Sequence, residues 1–173
     1  FGQLKKVKGI DILLEAFEIV CNKSLNFELT IVGRPWKISK SEILEKFKSF
    51  KFNDSLNYNL NFVSDTEVTN YYSNCDIVIL PYTRIYNSAV MLLSYSYGRT
   101  VITSDLPPFL DRLEHKVNGF CFKSGDPQSL AEAILSTLDF DLEVMGEKGF
   151  SMIQNRNDWK MESRKLIGFF QNL

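Results

Sequence analysis

The sequence predicts a doubly wound α/β domain, in which helices cover both faces of a parallel sheet. Two observations indicate this fold. Short apolar runs alternate with longer segments of helical periodicity, as right-handed βαβ units require. The short runs are apolar almost throughout, which is typical of strands buried on both faces. At 173 residues, of which 45% are hydrophobic, the chain suits one domain with a sizeable core.

Five runs rich in β-branched and aromatic residues predict the strands. They cover residues 27–32, 60–63, 76–80, 100–103 and 119–122. Each run is short and is followed by polar or glycine residues that end it. We therefore expect a five-stranded parallel sheet.

Helical periodicity predicts the segments between the strands. Apolar residues from Ile10 to Val20 recur with helical spacing, and a shorter pattern covers 43–47. A helix enters near Ser88 and ends at Gly98. Asp126 is a helix cap before Pro127 at the first helical position, and apolar residues follow at helical spacing. Two further helices are expected near 140–152 and 158–171.

Composition excludes several classes of protein. The net charge of −1 gives no global reason to expect nucleic-acid binding. No apolar run approaches the ~20 residues of a membrane span. Three widely spaced cysteines are expected to be free thiols in a reducing cytosol. The chain opens at Phe1, in what looks like the end of a strand, and we expect a fragment of a longer protein.

The stretch from Arg84 to Ile102 is the first candidate binding site. Ligands of doubly wound sheets bind outside the carboxyl ends of the strands. With Ser88 or Asn87 as the cap, the amides of residues 89–91 would be free to bind a phosphate. Ala89 is small and would allow a close approach. The alternative is that Ser88 is only a helix cap.

Two other loops follow predicted strands. Lys5, Lys6 and Lys8 lie between a strand end and a helix start, where they could reach an anion. Spacing alone favours the alternative that they are solvated loop lysines. Gly33 and Arg34 follow the next strand, and a ligand-binding turn or a simple turn fits them equally well.

No hydrolytic or metal centre is apparent. His115 is the only histidine and lies among charged residues, so we expect it at the surface of a helix end. Asp65 and Asp105 follow strands, where a pair of carboxylates could act together, but helix capping is the commoner role there.

Five segments, taken in order, resemble the C-terminal domain of retaining glycosyltransferases of the GT-B fold, family 4 or glycosyl transferases group 1. They are 1–17, 74–82 (similar to "aD-v-v-l-P-y"), 93–105 (similar to "EAMA-x-G-x-PVI-x-S"), 118–120 and 125–134. The resemblance implies one Rossmann-like, nucleotide-sugar-binding domain over 1–173. The N-terminal acceptor domain of the same chain would be absent.

The resemblance also implies an activity and its site. The domain would bind a UDP- or GDP-linked sugar for retaining transfer in cell-surface or capsular polysaccharide biosynthesis, without metal or other cofactor. Lys5 and Lys8 would hold the diphosphate, and the backbone near Val63 would contact the base. The expected donor set is Gly2, Lys5, Lys8, Gly33, Arg34, Val63, Ser64, Asn87, Ser88, Ala89 and Val90; no catalytic residue is assigned.

The sequence departs from the family at two positions. Ile85 and Leu93 stand where the family has glutamates that contact the donor. Residues 87–89 look like a variant in which a small pair replaces the first glutamate. A degenerate, non-catalytic GT-B partner is the alternative. A different module, such as a signalling receiver, ranks last because Lys5 and Lys6 stand where acids would be needed. We expect a cytoplasmic protein, and leave open whether the full-length protein associates peripherally with the inner membrane face.

Overall fold

The structure, a computed structural model, describes residues 1–23 and 26–156. Within this part of the chain it has five strands and seven α-helices. The strands are β1 Leu29–Val32, β2 Leu56–Asn59, β3 Ile77–Leu80, β4 Thr100–Ser104 and β5 Gly119–Phe122. The helices are α1 Ile10–Cys21, α2 Lys40–Ser49, α3 Asp65–Ser73, α4 Ala89–Ser96, α5 Pro107–Leu110, α6 Pro127–Ser136 and α7 Leu142–Arg156. The helix expected at 158–171 lies outside the described residues.

All strand pairs are parallel, which confirms the α/β fold. The strands form two sheets, however, where one was expected. One sheet has the order β1-β2 and the other the order β3-β4-β5. In the first, Ile31 pairs with Tyr58, and in the second, Ile102 lies between Ile79 and Phe120. A cavity separates β1 from β3.

The second strand was predicted at the wrong residues. It covers Leu56–Asn59 instead of 60–63. Asn57 and Tyr58 are exposed because β2 forms an edge of its sheet, where polar residues are tolerated. The apolar residues Leu60 and Val63 are buried in the loop that follows, so their burial and not strand pairing explains the apolar run.

The hydrophobic core lies on both faces of the three-stranded sheet. Ile102 and Phe120 belong to a cluster with α1, α2 and α6. Val101, on the opposite face, packs in a second cluster that includes Met91 and Tyr95 of α4. Every residue of β4 is buried, as expected for a central parallel strand.

Glycines permit close packing of α7 against α4. Gly98 ends α4 with a φ of 64°, the left-handed conformation that glycine favours. A Cβ at Gly146 would overlap the carbonyl oxygen of Gly98, and a Cβ at Gly149 would overlap the ring of Tyr95. The last described helix therefore packs directly on the turn between α4 and β4. None of the helices in the described ranges is long and apolar enough to cross a membrane.

Candidate functional site

The loop of residues 2–9 joins the carboxyl ends of β1 and β3. The Gly2 amide donates to the carbonyl of Val32 (3.0 Å), and the Thr83 amide donates to the carbonyl of Val7 (2.9 Å). Residues Lys6–Lys8 form one turn of 3-10 helix that ends at Gly9. This loop is therefore fixed against the ends of both sheets.

Gly9 allows the loop to lie against the strand end. Its φ is 68°, and a Cβ there would overlap the carbonyl oxygen of Pro81. Because no side chain fits at this position, the loop backbone packs directly on the residue that follows β3. The contact places Lys8 beside Tyr82.

Three polar side chains meet at this point. The Lys8 ammonium donates a hydrogen bond to the Tyr82 hydroxyl, and it lies 3.8 Å from the centroid of the Tyr82 ring. Tyr82 and Ser88 are both buried. Burial raises the pKa of Tyr82, and a hydrogen bond with the Ser88 hydroxyl opposes this rise. Residues from the first loop, the end of β3 and the start of α4 thus form one polar cluster, Lys8–Tyr82–Ser88.

The Lys8 ammonium is held where its charge is unfavourable. Burial, and then the nearby charge of Lys5, lower its pKa from the ordinary value of 10.5 to about 8. Both effects penalise the charged form. An anion bound beside Lys8 would remove part of this penalty, so the position favours a negatively charged ligand.

The N-terminus of α4 lies next to this cluster. Ser88 Oγ accepts from the Met91 amide (3.2 Å), and the Ser88 amide donates to Asn87 Oδ1 (2.8 Å). Ser88 is thus the helix cap, as predicted, and the expectation of a free Met91 amide was wrong because the cap uses it. The amides of Ala89 and Val90 lie in the first turn, where a helix supplies no acceptor.

A second cavity, of about 420 Å³, opens beside the first loop. It brings together four predicted site residues, Gly2, Gly33, Arg34 and Val63, and we call it the Trp36 cavity because Trp36 also lines it. Phe62 also lines this cavity, and its side chain is 79% exposed. The Lys5 ammonium lies 6.0 Å from the centroid of the Trp36 ring.

The backbones of Gly2 and Gly33 meet at the wall of the Trp36 cavity. A Cβ at Gly33 would overlap the Gly2 carbonyl oxygen, and one at Gly2 would lie 3.7 Å from Val90 Cγ2. Gly2 thus borders both the cavity and the start of α4. Gly2 is therefore the residue at which the Trp36 cavity comes close to the first turn of α4.

Ser64 has a capping role in the structure. Its hydroxyl accepts from the Glu67 amide (3.4 Å), and its own amide donates to Glu67 Oε2 (2.9 Å). The reciprocal bonds form a capping box at the start of α3. The hydrogen bonds to Glu67 also lower the pKa of that carboxyl. Ser64 therefore lies next to buried Val63, with its polar groups directed to α3.

Sequence reasoning did not assign site roles to Tyr82, Trp36 and Phe62. The position of Tyr82, two residues after the end of β3, could have indicated its proximity to Lys8. The sequence does not indicate a site role for Phe62, because its pattern predicts a strand over residues 60–63. Ile85 and Leu93 are half-buried and pack against the second core cluster.

His115 and Asp105 have local structural roles, and Asp65 is the first residue of α3, which Ser64 caps. His115 is exposed, as predicted, but it lies outside a helix, and its Nδ1 accepts from the Cys121 amide (3.0 Å). Asp105 Oδ1 accepts from the Ser124 amide (2.8 Å). Cys21, Cys75 and Cys121 are free thiols. Within residues 1–23 and 26–156, no three His, Cys, Asp or Glu side chains are grouped closely enough to hold a metal ion.

Comparison with known families identifies the chain. Residues 1–139 match the family described as glycosyl transferases group 1. The chain belongs to this family. As a group 1 glycosyltransferase sequence it is 25% identical, over 162 residues, to the Staphylococcus aureus protein named capsular polysaccharide biosynthesis glycosyltransferase CapM. That alignment covers 90% of this chain and 40% of CapM.

Solved structures of group 1 and related glycosyltransferases have the same fold. The C-terminal domain of LpcC from Francisella tularensis matches with a TM-score of 0.77 at 17% identity, over 90% of this chain and 82% of that chain. Anabaena HepE in complex with UDP matches with a TM-score of 0.80 at 17% identity, over 99% of this chain and 48% of that chain. The chain thus spans less than half the length of both CapM and HepE.

Proposed function

We propose that this chain is the donor-binding part of a glycosyltransferase that takes its sugar from a UDP- or GDP-linked donor. The observation that supports this most directly is the meeting of Lys8, Tyr82 and Ser88 beside the first-turn amides of α4. Cations and free helix amides together favour a phosphate. The proposal requires that the ligand also reach the Trp36 cavity, which Gly2 borders.

The diphosphate would lie between the first loop and α4. Lys8 supplies a partly buried charge, Lys5 a second one, and the amides of Ala89 and Val90 supply donors in the direction of the helix dipole. The Ser88 hydroxyl is a further potential partner. Positive groups placed here would stabilise a diphosphate leaving group, so we propose that the transfer needs no metal.

The nucleoside would occupy the Trp36 cavity. Its walls combine two glycine backbones with the exposed aromatic rings of Trp36 and Phe62. A flat base can stack on such rings, while the glycines leave room for its approach. Arg34, which is exposed at the same cavity, would reach the ribose or the phosphates.

The relatives support a finer version of the proposal. CapM is named for capsular polysaccharide biosynthesis, and HepE has been solved with UDP. We propose a retaining transfer in cell-surface or capsular polysaccharide assembly, at the cytoplasmic side of the membrane. An acceptor domain from the remainder of a longer chain would complete the active site, since the chain spans less than half of these relatives.

Calorimetry with UDP and with GDP tests the proposal, using the full-length protein. We expect Lys8→Ala to weaken binding of the preferred nucleotide roughly 10- to 100-fold, because a hydrogen bond to a charged partner is lost. Lys6→Ala is the matched control. It removes the same charge from an exposed side chain two residues away, and we expect a loss of less than about fivefold.

Two results would count against donor binding. One is no detectable heat with either nucleotide at millimolar concentration. The other is an equal loss in the Lys8 and Lys6 variants, which would mean that net charge and not the site attracts the nucleotide.

A second candidate function is a non-catalytic partner with a degenerate donor site. The packing of Ile85 and Leu93 against the core favours it, because neither side chain can accept a hydrogen bond from a sugar. Sugar transfer distinguishes the two functions. A full-length protein that binds nucleotide but transfers no labelled sugar to lipid-linked acceptors would support the partner role, and measurable transfer would exclude it.

A further inference from the structure

Tyr86 exposes more of its side chain than any other large apolar or aromatic residue within the described ranges, at 83%. It lies in the segment that joins β3 to α4, two residues before the cap Ser88. A single exposed aromatic ring is common and needs no explanation. Two further observations distinguish Tyr86 from such rings: the side chain that holds it, and its position beside the candidate diphosphate site.

Arg84 holds the Tyr86 ring by its hydroxyl group. The Arg84 Nη2 donates a hydrogen bond to the Tyr86 hydroxyl (2.8 Å), and the central carbon of the guanidinium lies 5.6 Å from the ring centroid. A guanidinium stacked flat on the ring would lie at van der Waals distance, about 3.5–4 Å. The guanidinium is therefore at the hydroxyl edge of the ring, and the faces of the ring are left open to solvent.

The segment that carries this pair is anchored to the core. Tyr82 and Ser88, near its two ends, are buried. Ile85, in the middle, packs against the second core cluster, whereas Arg84 and Tyr86 on either side of it are exposed. The packing of Ile85 thus fixes the orientation of the segment, with the pair on its solvent side.

The pair lies close to the candidate diphosphate site. Two residues of fully extended chain span at most about 7 Å, which is the upper limit for the distance between the Cα atoms of Tyr86 and Ser88. Ala89, whose amide would bind the diphosphate, follows Ser88 and is exposed. A molecule that lies on the Tyr86 ring would therefore be next to a sugar attached to this diphosphate.

The two side chains together suit a pyranose ring. One face of a pyranose carries mainly C–H groups, which pack well on the face of an aromatic ring. Its rim carries hydroxyl groups, which accept hydrogen bonds. A guanidinium has five N–H donors in one plane, and the bond to Tyr86 uses one of them. Further donors of Arg84 are thus available at the edge of the ring, where the hydroxyls of a stacked sugar would lie.

We propose that Arg84 and Tyr86 form a platform on which a sugar ring of the acceptor stacks. This assignment rests on the proposed function, since the diphosphate site is what holds the transferred sugar nearby. The first loop and α4 bind the donor from the side of the core, whereas the platform is open to the solvent from which the acceptor enters. Stacking would hold an acceptor hydroxyl beside the donor sugar, so the platform would also help to select the acceptor.

Saturation-transfer NMR on the full-length protein tests the platform. The probes are the methyl pyranosides of glucose, galactose and mannose, with UDP and then GDP present to fill the donor site. We expect saturation to reach the C–H protons of at least one glycoside. Tyr86→Ala should weaken its binding roughly fivefold to tenfold, and Tyr86→Phe, which keeps the ring, should retain most of it. Tyr58→Ala is the matched control, because Tyr58 is also an exposed tyrosine but lies on β2, and it should leave glycoside binding unchanged.

Three results would overturn the platform. They are an unchanged affinity in Tyr86→Ala, no transfer to any of the glycosides, and displacement of the glycoside by UDP-glucose or GDP-mannose but not by UDP or GDP. The last result would place the donor sugar on the ring.

Calorimetry with UDP and GDP on the same variants separates these failures from a failure of the proposed function. Tyr86→Ala should change the affinity for the nucleotide by less than about twofold. Nucleotide binding without glycoside binding would overturn the platform alone. Glycoside binding without nucleotide binding would overturn the donor function and, with it, the assignment of the platform to the acceptor.

Discussion

Replacing Lys8 with methionine would test whether the charged ammonium in the Lys8–Tyr82–Ser88 cluster lowers the stability of the folded protein. In the folded protein the pKa of Lys8 is about 8, and its ordinary value is 10.5. Between these pH values the unfolded chain binds more protons than the folded one. Stability therefore rises with pH across this window, as the unfavourable charge is lost from the folded state.

The pKa values set the size of the effect. A change of one in pKa corresponds to about 1.4 kcal/mol. Between pH 7.5 and 10, the wild type should gain about 2 kcal/mol of unfolding free energy relative to Lys8→Met, which has no charge to lose. The ammonium is only partly buried, so solvent screening reduces the expected gain to between about 1 and 2 kcal/mol.

Urea denaturation at intervals from pH 7.5 to 10 measures this difference. The comparison with Lys8→Met cancels other titrating groups, including the tyrosines whose pKa values are raised by burial. Lys8→Arg is the second control, because its charge does not titrate in this range, and the wild type should gain against it as well. A wild-type advantage that stays constant with pH would refute the buried-ammonium argument.

Two further predictions concern packing and capping, and urea denaturation measures both. Gly146→Ala places a methyl group against the Gly98 carbonyl and should lower the unfolding free energy by about 1–3 kcal/mol; Glu147→Ala, at an exposed neighbour, should change it by less than about 0.5 kcal/mol. Ser88→Ala should lower it by about 1 kcal/mol through loss of the hydrogen bond from Met91, and Ser88→Asn should retain most of that stability. Equal stability of Gly146→Ala and Glu147→Ala would contradict the first prediction, and equal stability of Ser88→Ala and Ser88→Asn would contradict the second.

The buried strands and amphipathic helices could be predicted because each has a strong repeating pattern. β3, β4 and β5 are apolar runs, and α1 and α6 have apolar stripes with a clear start. The Asp126 cap is confirmed, with its carboxylate accepting from the Ser129 amide (3.1 Å). Burial on two faces leaves little freedom in such segments, so local sequence is sufficient to assign them.

Other elements have no such pattern. β2 contains two asparagines because it is an edge, and the apolar loop that follows it resembled a strand. α3 buries only Tyr72 among its nine residues, so its apolar stripe is too weak to detect. α5 is a single turn that begins with two prolines.

Individual features of the candidate site could be predicted from the sequence, but the contacts between its residues could not. The helix cap at Ser88 was predicted and is confirmed, and Gly2, Gly33, Arg34 and Val63 line one cavity. The hydrogen bond from Lys8 to Tyr82 joins residues 74 positions apart, and only the packing of two loops creates it. The role of each residue in donor binding stays a prediction.

The attachment of the first loop to both sheets has a consequence for how the domain unfolds. Gly2 is hydrogen-bonded to Val32 at the end of β1, and Val7 is hydrogen-bonded to Thr83 in the segment that follows β3. A donor that contacts Lys8, Arg34 and the α4 amides would add non-covalent links across the same boundary. Binding of this donor would then make the two halves unfold as one cooperative unit. The donor would in this way stabilise the domain that binds it.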